Sequence, residues 1–263
     1  MSGFWQTFPS AAVVLLALAQ CTAADSPPEG PETRPRIQLM TSLPLVWGDD
    51  ASMESILSDG SEPAPIYRYW QGQYDIAAVD SLENLAADDP DIIILAQPRA
   101  MDPADLTALD AWVRSGGDVI ILTDPDLVWP SALPLGDRRR PLASGLLSPL
   151  LGHWGLELVA AAERNTDVVE LRFGSYSFTT QGVGKLEPLP VSRASDVRCK
   201  ASPGDFIVQC SVGLGQASII GDADFLNAGF WPESVRQSPQ KSGAGRFVDS
   251  LVQDHFDTGS IRK

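Results

Sequence analysis

Residues 90–126, PDIIILAQPRAMDPADLTALDAWVRSGGDVIILTDPD, decide the fold of this chain. The apolar run at residues 92–95 has the length and the β-branched side chains of a strand that is buried on both faces. A second such run, at residues 119–122, follows a segment whose apolar residues have helical spacing. Because two strands joined through a helix form a right-handed parallel βαβ unit, the stretch predicts a parallel sheet.

The predicted helix of this unit has recognisable ends. Asp102 is expected to be its N-cap, and Pro103 stands at the first helical position, where its missing N–H costs nothing. Gly116 and Gly117 end the helix, since the position after a helix often requires a positive φ.

Segments on both sides of the unit extend it into an α/β fold. Further strands in the first half are predicted at residues 37–40, 66–70 and 76–79. Residues 142–154 predict a short apolar helix broken near Pro149, and residues 244–255 predict another helix. From residue 167 onward apolar and polar residues alternate in short segments, which indicates antiparallel strands. We therefore expect an α/β fold with a mostly parallel central sheet, flanking helices and an added antiparallel β section in the C-terminal half.

Composition limits the class of protein and its partners. The chain has 263 residues, of which 44% are hydrophobic and 20% charged, as in ordinary globular proteins. This length fits one α/β domain at residues 36–257, followed by a tail at 258–263. The net charge of −15 repels phosphates, so neither nucleic acid nor an anionic membrane surface is an expected partner.

Residues 1–24 are predicted to be a signal peptide. Residues 11–19, AAVVLLALA, form an apolar core of secretory length that is too short to span a bilayer. The Leu-Ala-Gln that precedes Cys21 also resembles a lipoprotein signal, in which Cys21 would be lipidated. A Pro-rich spacer follows at residues 25–35. The expected location is the periplasm or cell envelope, with membrane attachment only through the signal or a lipid anchor.

Cys199 and Cys210 are predicted to form a disulfide. A Ser-Pro-Gly-Asp turn at residues 202–205 separates them, so the two cysteines face each other across a hairpin. Two free buried thiols are the alternative. Metal binding is not expected, because the sequence has neither a C-x-x-C spacing nor a neighbouring His.

Two pairs of aspartates are the sharpest candidates for a site. Asp124 and Asp126 follow one apolar strand, and Asp222 and Asp224 follow another. If these strands are parallel in one sheet, all the acids gather at its carboxyl edge, where α/β proteins bind ligands. Their oxygens suit Ca²⁺ or Mg²⁺. The alternative is that each Asp caps a turn or a helix.

Trp129 and Trp231 lie in Pro-flanked loops that follow the two aspartate pairs. They either line a shared groove for a sugar or peptide, or anchor their loops on the body of the domain.

The sequence favours a protein without catalytic activity or cofactor. It has no G-x-S-x-G motif, and neither His153 nor His255 accompanies a plausible nucleophile, so both are interpreted as packing or surface residues. Gly213 and Gly215 lead into a strand and not into a helix, which predicts a turn in place of a phosphate loop. A metal-assisted hydrolase that uses the acids is the least favoured alternative.

Several segments together resemble a known family. They are the PDIIIL strand, the MDPADL and LDAWVRSGGDVIILTDP helix and strand, LLSPLL with WGL at residues 146–156, and GLGQASIIGDADFLN at residues 213–227. In this order they resemble the soluble domain of gliding-motility-type ABC-transporter auxiliary proteins, a domain shared with intraflagellar-transport proteins. The resemblance implies a class I glutamine amidotransferase-like fold without established activity, and transporter subunits as partners. An envelope ligand-binding module at the Asp and Trp loops is the second hypothesis.

Overall fold

The structure, a computed structural model, describes residues 34–48, 60–161, 167–190 and 195–262, with a few single positions before residue 60. The predicted signal peptide, Cys21 and most of the Pro-rich spacer therefore lie outside the described residues.

In chain order, the strands within these residues are β1 Arg36–Thr41, β2 Asp75–Ala78, β3 Ile92–Ala96, β4 Asp118–Leu122, β5 Leu156–Val159, β6 Val169–Phe173, β7 Tyr176–Thr180, β8 Lys185–Pro188, β9 Val197–Ala201, β10 Ile207–Val212 and β11 Gly215–Ile220. The α-helices are α1 Pro65–Gln73, α2 Leu85–Asp88, α3 Pro103–Arg114, α4 Ser148–His153, α5 Glu233–Arg236 and α6 Gly243–Arg262. Short 3₁₀ helices lie at Asp224–Leu226, Ala228–Phe230 and Pro239–Lys241.

The central sheet has seven strands in the order β2-β1-β3-β4-β11-β10-β9. From β2 to β11 all neighbouring strands pair in parallel. The added strands β10 and β9 pair antiparallel, as do the two small sheets β5-β8 and β6-β7. This arrangement confirms the predicted fold class.

The central strands β3 and β4 are buried on both faces, which explains their uninterrupted apolar sequences. In β3, Ile92 and Ile94 pack on the side of α1 and α6. Ile93 and Leu95 pack on the opposite side, with α3 and α4. The fold is therefore a three-layer arrangement in which β3 and β4 lie at the centre of both cores.

The structure confirms the βαβ unit and its helix signals. The Asp102 side chain accepts a hydrogen bond from the backbone N–H of Ala104 at 3.2 Å. Pro103 is the first residue of α3, and Gly116 has a φ of +119°. The predicted turn is confirmed as well, because Gly213 has a φ of +59° in the connection between β10 and β11.

Two local predictions were wrong. Residues 66–70 are not a strand but belong to α1, whose first turn contains Pro65 and whose buried face carries Ile66, Tyr67 and Trp70. The helix predicted at residues 142–154 begins only at Ser148, because Pro149 lies in its first turn and so starts the helix instead of breaking it.

Cys199 on β9 lies directly opposite Cys210 on β10, and the two form a disulfide with their Cα atoms 4.0 Å apart. The predicted pairing is confirmed. It joins the edge strand of the sheet to its neighbour.

The last helix, α6, covers one face of the sheet. Its buried residues in that core are Ala244, Phe247, Val248, Leu251 and Val252. The helix continues to Arg262, through most of the segment for which a tail was expected. Among the described residues, no helix has both the length and the apolar character needed to cross a bilayer.

Candidate functional site

Parallel pairing of β4 with β11 brings their following residues to one edge of the sheet. Leu122 lies beside Ile220, and the N–H of Thr123 donates to the Ile220 carbonyl at 2.9 Å. The chain beyond each strand then carries Asp124 on one side and Asp222 with Asp224 on the other. Carboxylate oxygens of these three residues lie within 4.8 Å of one another, and we call them the aspartate cluster.

Asp126 is not part of the cluster, although the sequence placed it with the other three. Its backbone N–H donates to Asp124 Oδ1 at 2.8 Å, which orients the Asp124 carboxylate. Three of the four predicted acids therefore converge.

Hydrogen bonds from neighbouring groups hold the cluster in place. Asp222 Oδ1 accepts from the N–H of Asp224 at 2.8 Å and from the hydroxyl of Thr180 at 2.9 Å. Asp224 Oδ2 accepts from the N–H of Val128 at 2.8 Å. The aspartates therefore also stabilise their local turns, as the alternative interpretation expected. The same side chains can do this and still lie together in one cluster.

Two oxygens of the cluster lack a hydrogen-bond partner. Among the described residues, Asp222 Oδ2 and Asp224 Oδ1 are both buried and unpaired. All three side chains of the cluster are 0% exposed. Because an ionised carboxylate without a partner is very costly in the interior, these oxygens require a proton or a cation.

Burial is the main reason why the acids of the cluster are hard to ionise. Burial and the neighbouring carboxylates raise the pKa of Asp124 well above its ordinary value. Burial also raises the pKa of Asp222, against the opposing hydrogen bond from Thr180. For Asp224, burial raises the pKa to about 7, although the hydrogen bond from Val128 opposes it. At neutral pH the cluster therefore holds protons unless a cation replaces them.

Sequence reasoning missed two residues that support the cluster. Gln97, which is fully buried after β3, contacts the backbone of Asp124. Thr180 reaches Asp222 from the end of β7. The sequence gives a weak indication of Gln97, because a polar residue there directly follows an apolar strand. It gives no indication of Thr180.

The two tryptophans of the predicted groove are both largely buried, with Trp129 9% exposed, but only Trp129 lines a groove. Trp129 lines a groove of about 600 Å³ together with Trp47, which sequence reasoning had not singled out. Trp231 is 3% exposed, and its indole N–H donates to the Phe225 carbonyl at 2.9 Å. Trp231 therefore anchors its loop.

A Ser-His-Asp arrangement lies between α6 and the sheet, with Ser218 on β11, His255 on α6 and Asp118 at the start of β4. Ser218 Oγ is 2.9 Å from His255 Nε2, and His255 Nδ1 is 3.6 Å from Asp118 Oδ1. All three are nearly fully buried. Ser218 stands in the middle of a strand and not on the sharp strand-to-helix turn that exposes a catalytic serine. We interpret the arrangement as a polar tie between α6 and the sheet, in agreement with a packing role for His255.

His153 lies at the surface, with about half of its side chain exposed. Its Nε2 is 3.6 Å from Asp110 Oδ2, in a group that also contains Arg114.

Comparison with known proteins identifies a family. Residues 34–195 match the family described as ABC-type uncharacterized transport system. The match covers more than half of the chain and confirms the resemblance found in the sequence. No curated protein matches the chain.

Several solved structures are similar to this chain in fold. The mmIFT52 N-terminal domain shares 12% identity over 84% of this chain and 96% of that domain, with a TM-score of 0.47. Exo-beta-1,4-mannosidase Op5Man5 from Opitutaceae bacterium strain TAV5 shares 14% identity over 82% of this chain and 36% of the mannosidase, with a TM-score of 0.45. Cytoplasmic Protein STM3548 from Salmonella typhimurium shares 11% identity over 82% and 98% of the two chains, with a TM-score of 0.43. Similarities of this size carry no functional argument.

Proposed function

We propose that this chain, which belongs to the family described as ABC-type uncharacterized transport system, is a non-catalytic component that binds the subunits of a transporter. The family match over residues 34–195 is the observation that carries the proposal. The buried, mid-strand position of Ser218 supports a role without catalysis.

The proposed place of action is the periplasm or cell envelope. The apolar segment at residues 11–19 supports export through a signal peptide. The disulfide between Cys199 and Cys210 supports it too, since disulfides persist in oxidising compartments and are rare in the cytosol.

Affinity purification from detergent-solubilised membranes tests this proposal. The full chain carries a C-terminal tag and is expressed in its native cells, and a variant without residues 2–24 serves as the control. We expect a permease or ATPase subunit to co-purify with the full chain and not with the control. Recovery of the full chain from the cytosol without any transporter subunit contradicts the proposal.

A second candidate function, divalent cation binding, is favoured by the unpaired oxygens of Asp222 and Asp224. Together with Asp124 they supply the carboxylate ligands that Ca²⁺ and Mg²⁺ prefer, and backbone carbonyls or waters complete such sites. A cation there replaces the protons that the buried carboxyls otherwise hold.

Calorimetric titration with Ca²⁺ and with Mg²⁺ tests the cation proposal. We expect heat of binding at pH 8, release of protons into the buffer, and loss of both signals in Asp222→Asn. Asp126→Asn is the matched control, because Asp126 lies outside the cluster. If neither cation gives heat of binding, the cation proposal is wrong and the cluster holds only protons.

A further inference from the structure

A concave site lies at the carboxyl edge of the sheet, and its lining does not include the buried aspartate cluster. It is the groove of about 600 Å³ that forms where the loops after β1, β4 and β11 meet the start of α1. We call it the Trp47 groove; its lining includes Trp47, Glu62, Arg68, Trp129 and Asn227. Its size is typical of a small-molecule site, and the carboxyl edge is where parallel α/β sheets bind ligands.

Trp47 is more exposed than the other tryptophans of the described residues. Its exposed fraction is 51%, whereas Trp70, Trp154 and Trp231 are all at or below 3%. Each Å² of apolar surface that stays exposed loses about 25 cal/mol of the stabilising free energy that its burial would contribute. An exposed indole inside a concave site offers a flat apolar surface to a ligand. Trp129 also lines the groove but is only 9% exposed, so most of the indole surface comes from Trp47.

The polar groups of the groove can donate and accept hydrogen bonds without giving it a net charge. Glu62 and Arg68 are both exposed, and in the described part of the chain they form no ion pair with each other. Asn227 Oδ1 accepts from the N–H of Gly229 at 2.8 Å, which leaves its amide nitrogen as a donor. One acid, one base and one amide suit a ligand with several hydroxyls and no charge.

We propose that the Trp47 groove binds a neutral mono- or disaccharide. The C–H face of a pyranose ring is apolar and packs on an indole by dispersion, while its hydroxyls bond to carboxylate, guanidinium and amide groups. An extended peptide fits less well, because the lining residues lie in loops and in α1 and offer no strand edge for pairing. This proposal does not depend on the transport function.

Saturation-transfer NMR on the full chain tests the proposal, with cellobiose, maltose and N,N′-diacetylchitobiose as probes. We expect transfer to the ring protons of at least one disaccharide. Trp47→Ala is expected to weaken that binding about tenfold or more, which corresponds to about 1.4 kcal/mol. Leu214→Ala is the matched control, since Leu214 is 71% exposed in the turn between β10 and β11 and does not line the groove.

Thermal unfolding of Trp47→Ala checks that its fold is intact, which its exposed position favours. Arg68→Gln provides a second variant that removes a polar contact without touching the indoles, and it is expected to weaken binding as well. Three outcomes overturn the proposal: no transfer to any of the disaccharides, equal transfer in Trp47→Ala, or binding of a decaproline peptide in their place. None of them affects the purification test of the transporter association.

Discussion

The side-chain amide of Gln97 forms two hydrogen bonds with the backbone of Asp124. Its Oε1 accepts from the Asp124 N–H at 2.8 Å, and its Nε2 donates to the Asp124 carbonyl at 3.0 Å. Nε2 also donates to the Leu142 carbonyl at 3.0 Å. One buried side chain thus connects the ends of β3 and β4 and fixes the backbone that carries the first acid of the aspartate cluster.

Gln97→Ala is expected to destabilise the protein by at least about 2 kcal/mol, because it leaves the buried backbone N–H and carbonyl of Asp124 and the half-buried carbonyl of Leu142 without their partner. Urea unfolding measures the change. Gln209→Ala, an exposed position on β10, is the matched control and should change stability by less than about 0.5 kcal/mol. Equal effects of the two substitutions contradict the bridging role of Gln97.

Stability is expected to fall as the pH rises from about 4 toward 7. The pKa of Asp224 is raised from 3.8 to about 7 in the folded state by burial, so the folded protein binds more protons than the unfolded chain in this window. Asp224→Asn removes one such group and should flatten the curve. Thermal unfolding at several pH values measures the difference between the two proteins.

The control for this experiment is Asp75→Asn, which changes an exposed aspartate on β2. Its curve should run parallel to that of the unsubstituted protein. If Asp224→Asn also runs parallel, Asp224 does not hold a proton in the folded state.

Ser218→Ala is expected to cost about 1–3 kcal/mol, since it leaves the buried Nε2 of His255 without its partner. Ser211→Ala, on the exposed side of β10, is the control.

A fluorophosphonate probe should not label the unsubstituted protein, because Ser218 is 3% exposed. Labelling that Ser218→Ala abolishes would identify a nucleophile instead of a structural tie.

Gly215→Ala is expected to destabilise by roughly 2–3 kcal/mol through overpacking. A Cβ at this position would lie 2.1 Å from the carbonyl oxygens of both Gly117 and Val113. Gly72→Ala is the opposite case: nothing lies within 4 Å of its added Cβ, and α1 should gain about 0.5–1 kcal/mol of helix propensity. Chemical denaturation of both variants measures the contrast, and similar effects would contradict it.

Local patterns were sufficient for the centre of the fold. The apolar strands β3 and β4, the cap at Asp102 and the turn at Gly213 each depend on a few consecutive residues, and each was predicted. The convergence of Asp124 with Asp222 followed from one further assumption, that their strands are parallel neighbours.

Other features depend on contacts between distant segments. Residues 66–70, IYRYW, have high β propensity, but Pro65 and the packing of Trp70 in the core select a helix. Thr180 reaches the cluster only because the β6–β7 hairpin folds over that edge. The Trp47 groove likewise combines side chains from loops after three different strands, and no local pattern predicts such a combination.

The strand that closes the middle of the sheet is late in the chain. β11 lies between β4 and β10, yet it begins at Gly215, beyond the family match that ends at residue 195. Until residue 220 has left the ribosome, β4 has an open edge and Asp124 lacks the other members of its cluster. Completion of the central sheet therefore depends on pairing between distant parts of the chain, such as Leu122 with Ile220, and contacts of this kind form slowly during folding.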